Sequence, residues 1–269
     1  MTRPGWRIWY LPALISLPGV GAGAATAPTD TVISSMDLSK PFHTRSPWRF
    51  TATQGVGQDS PIGLDEKVPG AVALCLGKDG PGQCDPSLRS DLYARADGGL
   101  YDDPHYLNKA EIVYPHGVDG PPLLLVQTAS IEGVNGNQAI LTQALAYDRA
   151  TDRFRRTYDF RTRHNNNEEV RFMTAGPLQG AFISVEPTGN APYGYWVTVS
   201  RPGKDLNYRQ VLHYRSATHY NDGNSLAVID SEMPNIERQL GLWKPGQKLP
   251  VPQAGCERPR LVHTELWCS

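Results

Sequence analysis

The sequence predicts an all-β fold of antiparallel strands in a propeller-like or sandwich-like arrangement, with one or two short covering helices. Short apolar or alternating runs, such as PLLLVQTAS from residue 122 and QAILTQALAY from residue 138, recur from Trp48 onwards. Clusters of Gly, Pro, Asn and Asp separate these runs, which is typical of strands joined by turns. Few segments carry helix-capping signals, and a weak internal repeat has a period that suits a propeller blade.

Two segments have the signals of covering helices. Asp85 and Pro86 can cap and open a first helix that runs to about Tyr93. A second helix is predicted to begin at Asp230 or Ser231 and to end before Gly241.

The internal repeat has an offset of 54 residues, which pairs Phe154 with Tyr208 and Phe160 with Tyr214. A period near 50 residues suits a four-stranded propeller blade. The sequence contains two copies, so chance similarity within a β-meander carries about equal weight. The blade interpretation requires each aromatic pair to occupy equivalent inward positions.

The start of the chain predicts export. Residues 1–24 combine an arginine-containing start, an apolar run and the small-residue ending Ala22-Gly23-Ala24, which together form a signal peptide. Residues 25–47 are then a loose leader or irregular edge segment, and residues 48–269 form a single all-β domain. The predicted location is periplasmic or secreted, with no integral membrane segment after the signal is removed.

The four cysteines, Cys75, Cys84, Cys256 and Cys268, fall in two close pairs. In an exported chain they are expected to form two disulfides. Three connectivities are possible, and the 75–84 and 256–268 pairs close the shortest loops. Zinc bound by Cys256, His263 and Cys268 is the weaker alternative, because the usual close ligand spacing is missing.

The charge balance excludes a large electrostatic interface. The formal net charge is −1, and loss of Arg3 and Arg7 with the signal peptide lowers it to −3. This balance provides no electrostatic basis for binding nucleic acid.

The stretch HYNDGNSLAVIDSE at 219–232 allows three interpretations. A calcium loop would use oxygens of Asn221, Asp222, Asn224 and Asp230, although the EF-hand spacing is not met. A nucleophile elbow at Ser225, paired with His213 or His219, conflicts with the strand-like pattern that follows the serine. A hairpin turn at Asp222-Gly223 is favoured, because glycine accepts positive φ.

Polar loops and aromatic residues supply the candidate binding residues. Pro192, Tyr193, Tyr195 and Trp196 in APYGYW could form a platform for a sugar or a peptide. The acids Glu111, Glu132, Glu168, Glu169, Glu186, Asp222 and Glu232 could include a glycosidase pair. The predicted binding residues are His164, Asn166, Glu186, Trp196, His219, Asn221, Asp222 and Asn224. No catalytic residue is assigned and no metal site is expected.

The segments HNNNEEVRF, GPLQGAF, APYGYW, HYRSATHYNDGN, VIDSEMPNIERQLGLWKPG and TELWC resemble a group of secreted proteobacterial proteins that have no assigned activity. The resemblance runs from about Trp48 to the C-terminus and implies an exported location only.

The combined expectation is a periplasmic or cell-envelope protein that acts as a non-enzymatic binding or structural module. Its expected partner is an envelope protein or glycan. No cofactor is expected, with calcium as the one possible exception. The alternative is a hydrolase acting on envelope polysaccharide or peptide.

Overall fold

The computed structural model describes fifteen strands and two helices in residues 30–60, 63, 67–78, 84–89, 91–92, 102–133, 136–163, 168–190, 194–216, 225–244, 246, 260–262 and 265–267. The predicted signal peptide at 1–24 lies outside these residues. For residues 225–227, 260–262 and 265–267 the backbone alone is described.

Sheet 1 is built from the N-terminal elements. These are β1 (Thr31–Asp37), α1 (Ser39–Phe42), β2 (Trp48–Gln54), the short hairpin strands β3 (Gln58–Asp59) and β4 (Lys67–Val68), and β5 (Val72–Lys78). Strands β1, β2 and β5 form the three-stranded antiparallel sheet, and β3 pairs with β4.

Two four-stranded antiparallel meanders follow. Sheet 2 contains β6 (Tyr106–Val113), β7 (Leu123–Ala129), β8 (Ile140–Asp148) and β9 (Arg153–Arg161). Sheet 3 contains β10 (Glu169–Phe172), β11 (Phe182–Pro187), β12 (Tyr195–Pro202) and β13 (Tyr208–Arg215). Helix α2 (Ser225–Gln239) and the paired strands β14 (Arg260–Val262) and β15 (Glu265–Trp267) complete the described elements.

The sheets stack face to face, which confirms the all-β antiparallel prediction with sandwich-like packing. Leu124 and Val126 of β7 face sheet 1, whereas Leu123 and Leu125 of the same strand face sheet 3. Alternate side chains of a strand point to opposite faces, so a strand between two layers is apolar on both. Sheet 2 is therefore the inner layer between sheets 1 and 3.

Helix α2 covers the other face of sheet 3. Val228, Ile229, Met233 and Ile236 of the helix pack with Ile183, Val185, Val197 and Val199 of the sheet. No helix in the described part of the chain is long and apolar enough to cross a membrane.

The 54-residue repeat corresponds to the last strands of sheets 2 and 3. Phe154 and Tyr208 each face the preceding layer, and Phe160 and Tyr214 each face the following one. Each strand changes face at a β-bulge, at Thr157 in β9 and at Val211 in β13, which are themselves 54 residues apart. A bulge inserts one extra residue into a strand, so the side chains that follow it point to the opposite face from the one they would otherwise occupy. The prediction of equivalent positions is confirmed for both aromatic pairs.

The prediction of a loose leader over 25–47 is wrong for residues 31–42. Strand β1 pairs with β2 along its length, and Leu38 and Phe42 are buried in the core. Because β1 is an edge strand with mostly exposed side chains, its Ser- and Thr-containing sequence lacks an apolar pattern.

The helix predicted from Asp85 to Tyr93 is also wrong over its described residues, which form a single turn. The Asp85 carboxylate accepts the Ser87 N–H at 2.9 Å, in the manner of a helix cap. The chain then pairs with sheet 2, because Arg89 N–H donates to Gln143 Oε1 and Gln143 Nε2 donates to Arg89 O, both at 3.0 Å.

The second covering helix is confirmed but begins earlier than predicted. It starts at Ser225, so residues 226–230 are helical and not the strand that their β-branched composition suggested. Val228, Ile229, Met233 and Ile236 follow a helical spacing and meet sheet 3. The objection that no helix follows Ser225 is therefore wrong. Strand β13 nevertheless ends at Arg215, and an elbow serine sits directly between its strand and helix.

The Cys75–Cys84 disulfide is present and joins β5 to the turn at Asp85. It is one of the two predicted local pairs. Cys256 and Cys268 lie outside the described residues, so their pairing remains a prediction, as does the zinc alternative.

Candidate functional site

A cleft of about 410 Å³ opens between sheets 2 and 3. It lies at the end of both sheets where β9 leaves sheet 2 and β10 enters sheet 3. Its lining consists of Lys109, Leu125, Gln127, Gln138, Ile140, Thr142, Thr162, Glu168, Glu169, Val170, Arg171, Phe172 and Phe182. An open pocket of mixed polar and apolar character is typical of small-ligand sites.

An aromatic cluster borders the cleft, which Phe182 also lines. The Tyr158 and Phe182 rings stack with their centroids 3.8 Å apart, and the Tyr208 ring meets both edge-on. Tyr208 Oη also donates to the Gly180 carbonyl at 2.8 Å. Toward the cleft the inward-facing positions of β7 and β8 become polar at Gln127 and Thr142, beside the apolar side chains of Leu125, Val170 and Phe182.

Sheet 2 supplies a polar wall. Gln127 Nε2 donates to Thr142 Oγ1 at 2.9 Å, which fixes both side chains. Gln138 Nε2 donates to the Ser130 carbonyl at 2.9 Å. Lys109 lies opposite Gln127 in the strand register and is half-exposed. The wall therefore offers amide and hydroxyl groups beside a cation.

Glu168 is the buried acid of the cleft, with a side chain that is 1% exposed. Its Oε2 accepts the Arg163 backbone N–H at 2.5 Å, and its Oε1 lies 3.1 Å from Arg163 Nε. Burial raises the pKa of Glu168, while the bond and charge of Arg163 act in the opposite direction.

Arg163 also reaches Glu186, since its Nη2 lies 3.4 Å from Glu186 Oε1. Glu186 pairs directly with Trp196 across β11 and β12, and Trp196 pairs with Arg215 across β12 and β13. A row of charged and aromatic side chains therefore crosses sheet 3 from β11 to β13. Cross-strand partners on one face are close enough to share a ligand.

A second ionic cluster lies at the edge of sheet 3 that meets α2. Arg171 Nη1 is 2.5 Å from Asp230 Oδ1, and Arg171 Nε is 3.1 Å from Glu169 Oε1. Burial raises the pKa of Glu169 to about 7, with Asp230 adding to the rise and Arg171 opposing it. This cluster links the edge strand to the helix.

The raised pKa of Glu169 predicts a pH dependence of stability. The folded state holds the proton more tightly than the unfolded chain, so stability falls as pH rises from about 4.5 to about 7. Glu168 and Glu237, whose pKa values are also raised by burial, contribute with the same sign. In Glu169→Gln, the loss of unfolding free energy between pH 5 and pH 8 should be smaller than in the starting protein. Equal losses, measured by urea unfolding, would contradict the assignment.

Two predicted binding residues, Glu186 and Trp196, are brought together as cross-strand neighbours. The other six, His164, Asn166, His219, Asn221, Asp222 and Asn224, lie outside the described residues and remain predictions. Their described neighbours in the chain, Arg163 and Ser216, lie at the cleft end of sheet 3. The calcium alternative also depends largely on residues outside this part of the chain.

Sequence reasoning missed Arg163, Gln127 and Thr142, and considered Glu168 only among several acids. Strands β7 and β8 are mostly apolar, and Gln127 and Thr142 are polar residues at positions that face sheet 3. That interruption is the one signal by which the polar wall could have been found. The partnership of Arg163 with Glu168 and Glu186 depends on strand register, which the sequence does not display.

The site provides fixed hydrogen-bonding groups, an ion-paired acid and an exposed indole. Among the described residues, no group of three or more His, Cys, Asp or Glu side chains is arranged to hold a metal ion. Comparison of the chain with protein-family models, with curated proteins and with solved structures finds no match.

Proposed function

We propose that the protein is an exported, periplasmic or secreted binding module of the cell envelope, which holds a polar ligand in the cleft between sheets 2 and 3. The observation that carries this proposal is the ion-paired arrangement of Arg163 with Glu186 and with Glu168, which lines the cleft. Its partner is an envelope glycan or an envelope protein. The signal-peptide pattern at residues 1–24 supports the location.

Ion pairing favours binding over catalysis. A general acid or base must reach the substrate through a free oxygen at hydrogen-bonding distance. The Glu168 side chain is 1% exposed and ion-paired with Arg163, so its oxygens are not presented to a substrate, and Glu186 shares the same guanidinium. The arrangement orients hydrogen-bonding groups without requiring a proton transfer.

A hydrolase is the second candidate, because two carboxyl groups meet one guanidinium and burial raises the pKa of Glu168. A pair of carboxyl groups in one site is the arrangement that glycoside hydrolysis requires. Activity on envelope polysaccharide would use Glu168 as the acid.

Ligand-induced stabilisation tests the binding proposal, since a ligand that binds only the folded state raises the melting temperature. The probes are soluble peptidoglycan fragments, lipopolysaccharide core oligosaccharides and short peptides. Gln127→Leu removes the polar group of the cleft wall, and Gln210→Leu makes the same change at an exposed position on β13. At least one probe should raise the melting temperature of the starting protein and Gln210→Leu, with a much smaller rise for Gln127→Leu.

The proposal fails if no probe raises the melting temperature, or if Gln127→Leu responds as fully as the starting protein. The same mixtures are assayed for new reducing ends and new amino groups. Release of either, abolished in Glu168→Gln with folding retained, would replace the binding module by the hydrolase.

A further inference from the structure

Trp196 is the one aromatic side chain among the large hydrophobic residues that the described part of the chain exposes, with 38% of its surface accessible. The others are aliphatic residues, namely Val32, Ile33, Val56, Val118 and Val211. Single exposed aliphatic residues are common on protein surfaces, whereas an exposed indole next to a polar cleft is a feature of ligand sites.

The indole is held in a fixed orientation. Its ring stacks on the His213 imidazole, with centroids 4.9 Å apart and planes inclined by 12°. His213 Nδ1 is in turn hydrogen-bonded to Thr198 Oγ1 at 2.9 Å. The imidazole lies against one face of the indole, and 38% of the Trp196 surface remains accessible. A preorganised ring loses little entropy when a ligand stacks on it.

Charged groups border the indole on both neighbouring strands. Glu186 lies directly opposite Trp196 on β11, with Arg163 3.4 Å from its carboxylate. Arg215 lies opposite on β13 and donates from Nη2 to the Asn190 carbonyl at 2.7 Å. A sugar ring presents apolar C–H groups on its face and hydroxyl groups around its rim. The apolar ring and its hydrogen-bonding border match that pattern.

We propose that Trp196 is the stacking site for a sugar ring, and that the ligand is an oligosaccharide running from Trp196 into the cleft. This rests on the proposed binding function. Strand β10, which follows Glu168, and β12, which carries Trp196, are separated by two strand spacings, about 10 Å. A short oligosaccharide spans that distance, so one ring can contact the indole while its neighbour reaches the cleft wall.

The test is the length dependence of affinity, measured by isothermal titration with chito-oligosaccharides, cello-oligosaccharides and peptidoglycan-derived disaccharide fragments of increasing length. Affinity in the starting protein should rise with length for at least one series. Trp196→Ala should lower the affinity for the longest member at least about tenfold, which corresponds to 1.4 kcal/mol. Trp196→Ala should also remove most of the increase in affinity with oligosaccharide length. Trp196→Phe should retain part of it, and Val211→Ala, which truncates an exposed residue on β13, should retain it all.

Melting temperatures of all variants are measured first, so that a loss of binding is not a loss of folding. Saccharide affinity that is unchanged in Trp196→Ala but abolished in Gln127→Leu overturns the stacking site and leaves the binding function standing. A melting-temperature rise with short peptides but no saccharide binding overturns the sugar-stacking site and leaves the binding function standing. If neither class binds, both the stacking site and the proposed function fail.

Discussion

Replacing Phe182 with alanine should lower the free energy of unfolding by about 3–5 kcal/mol. Phe182 is fully buried, stacks on Tyr158 and meets Phe172 and Tyr208 edge-on. Truncation would remove its own burial and leave a cavity at the centre of the interface between sheets 2 and 3. Urea unfolding measures the change.

Val211→Ala serves as the matched control, since it truncates a 46% exposed residue of the same sheet. It should change the unfolding free energy by less than about 0.5 kcal/mol. A loss below about 1.5 kcal/mol in Phe182→Ala would mean that the sheets do not depend on this aromatic cluster.

Gly180→Ala should destabilise the protein by about 3–5 kcal/mol, through backbone strain and a steric clash together. Gly180 has a φ of +80°, and a Cβ there would overlap the carbonyl oxygen of Pro115 in the β6–β7 connection. The β6–β7 connection, which contains Pro115, and the β10–β11 connection, which contains Gly180, would have to move apart beside the aromatic cluster.

Gly176→Ala separates the two causes. Gly176 lies in the same connection with a φ of +78°, and a Cβ there meets no atom within 4 Å. It should cost only the backbone strain, about 1–2 kcal/mol. Equal losses in the two variants would show that the contact with Pro115 has no energetic weight.

Much of the fold could be predicted because strand alternation and turn residues are local signals. The paired aromatics of β9 and β13 occupy the equivalent positions that were predicted, since the bulges at Thr157 and Val211 produce the same change of face in both strands. Cys75 and Cys84 could be paired because they are close in sequence and the loop they close is short.

Other elements could not be predicted from local pattern. The run Leu226–Asp230 suits a strand or a helix, and its helical form depends on packing against sheet 3. Strand β1 is held by its pairing with β2 and has few buried side chains. The turn after Asp85 is a helix start by sequence, but the side chain of Gln143 takes the backbone hydrogen bonds of Arg89.

Part of the candidate site could be predicted from side-chain chemistry alone. Glu186 and Trp196 carry chemistry that is visible in the sequence, and the register of β11 and β12 makes them neighbours. Arg163 was not among the predicted residues, and its exposed guanidinium joins Glu168, just before β10, to Glu186 of β11. These ion pairs depend on which strands lie side by side, and the sequence alone does not show that.

If the cleft between sheets 2 and 3 is the ligand site, amide chemical-shift mapping should locate the ligand there. The probe is the fragment that gives the largest rise in melting temperature, added to the isotope-labelled protein. Perturbations are expected at the Gln127 and Thr142 amides, at Glu168 and at the indole N–H of Trp196. Perturbations confined to the exposed face of sheet 1, around Arg49 and Thr51, would contradict it.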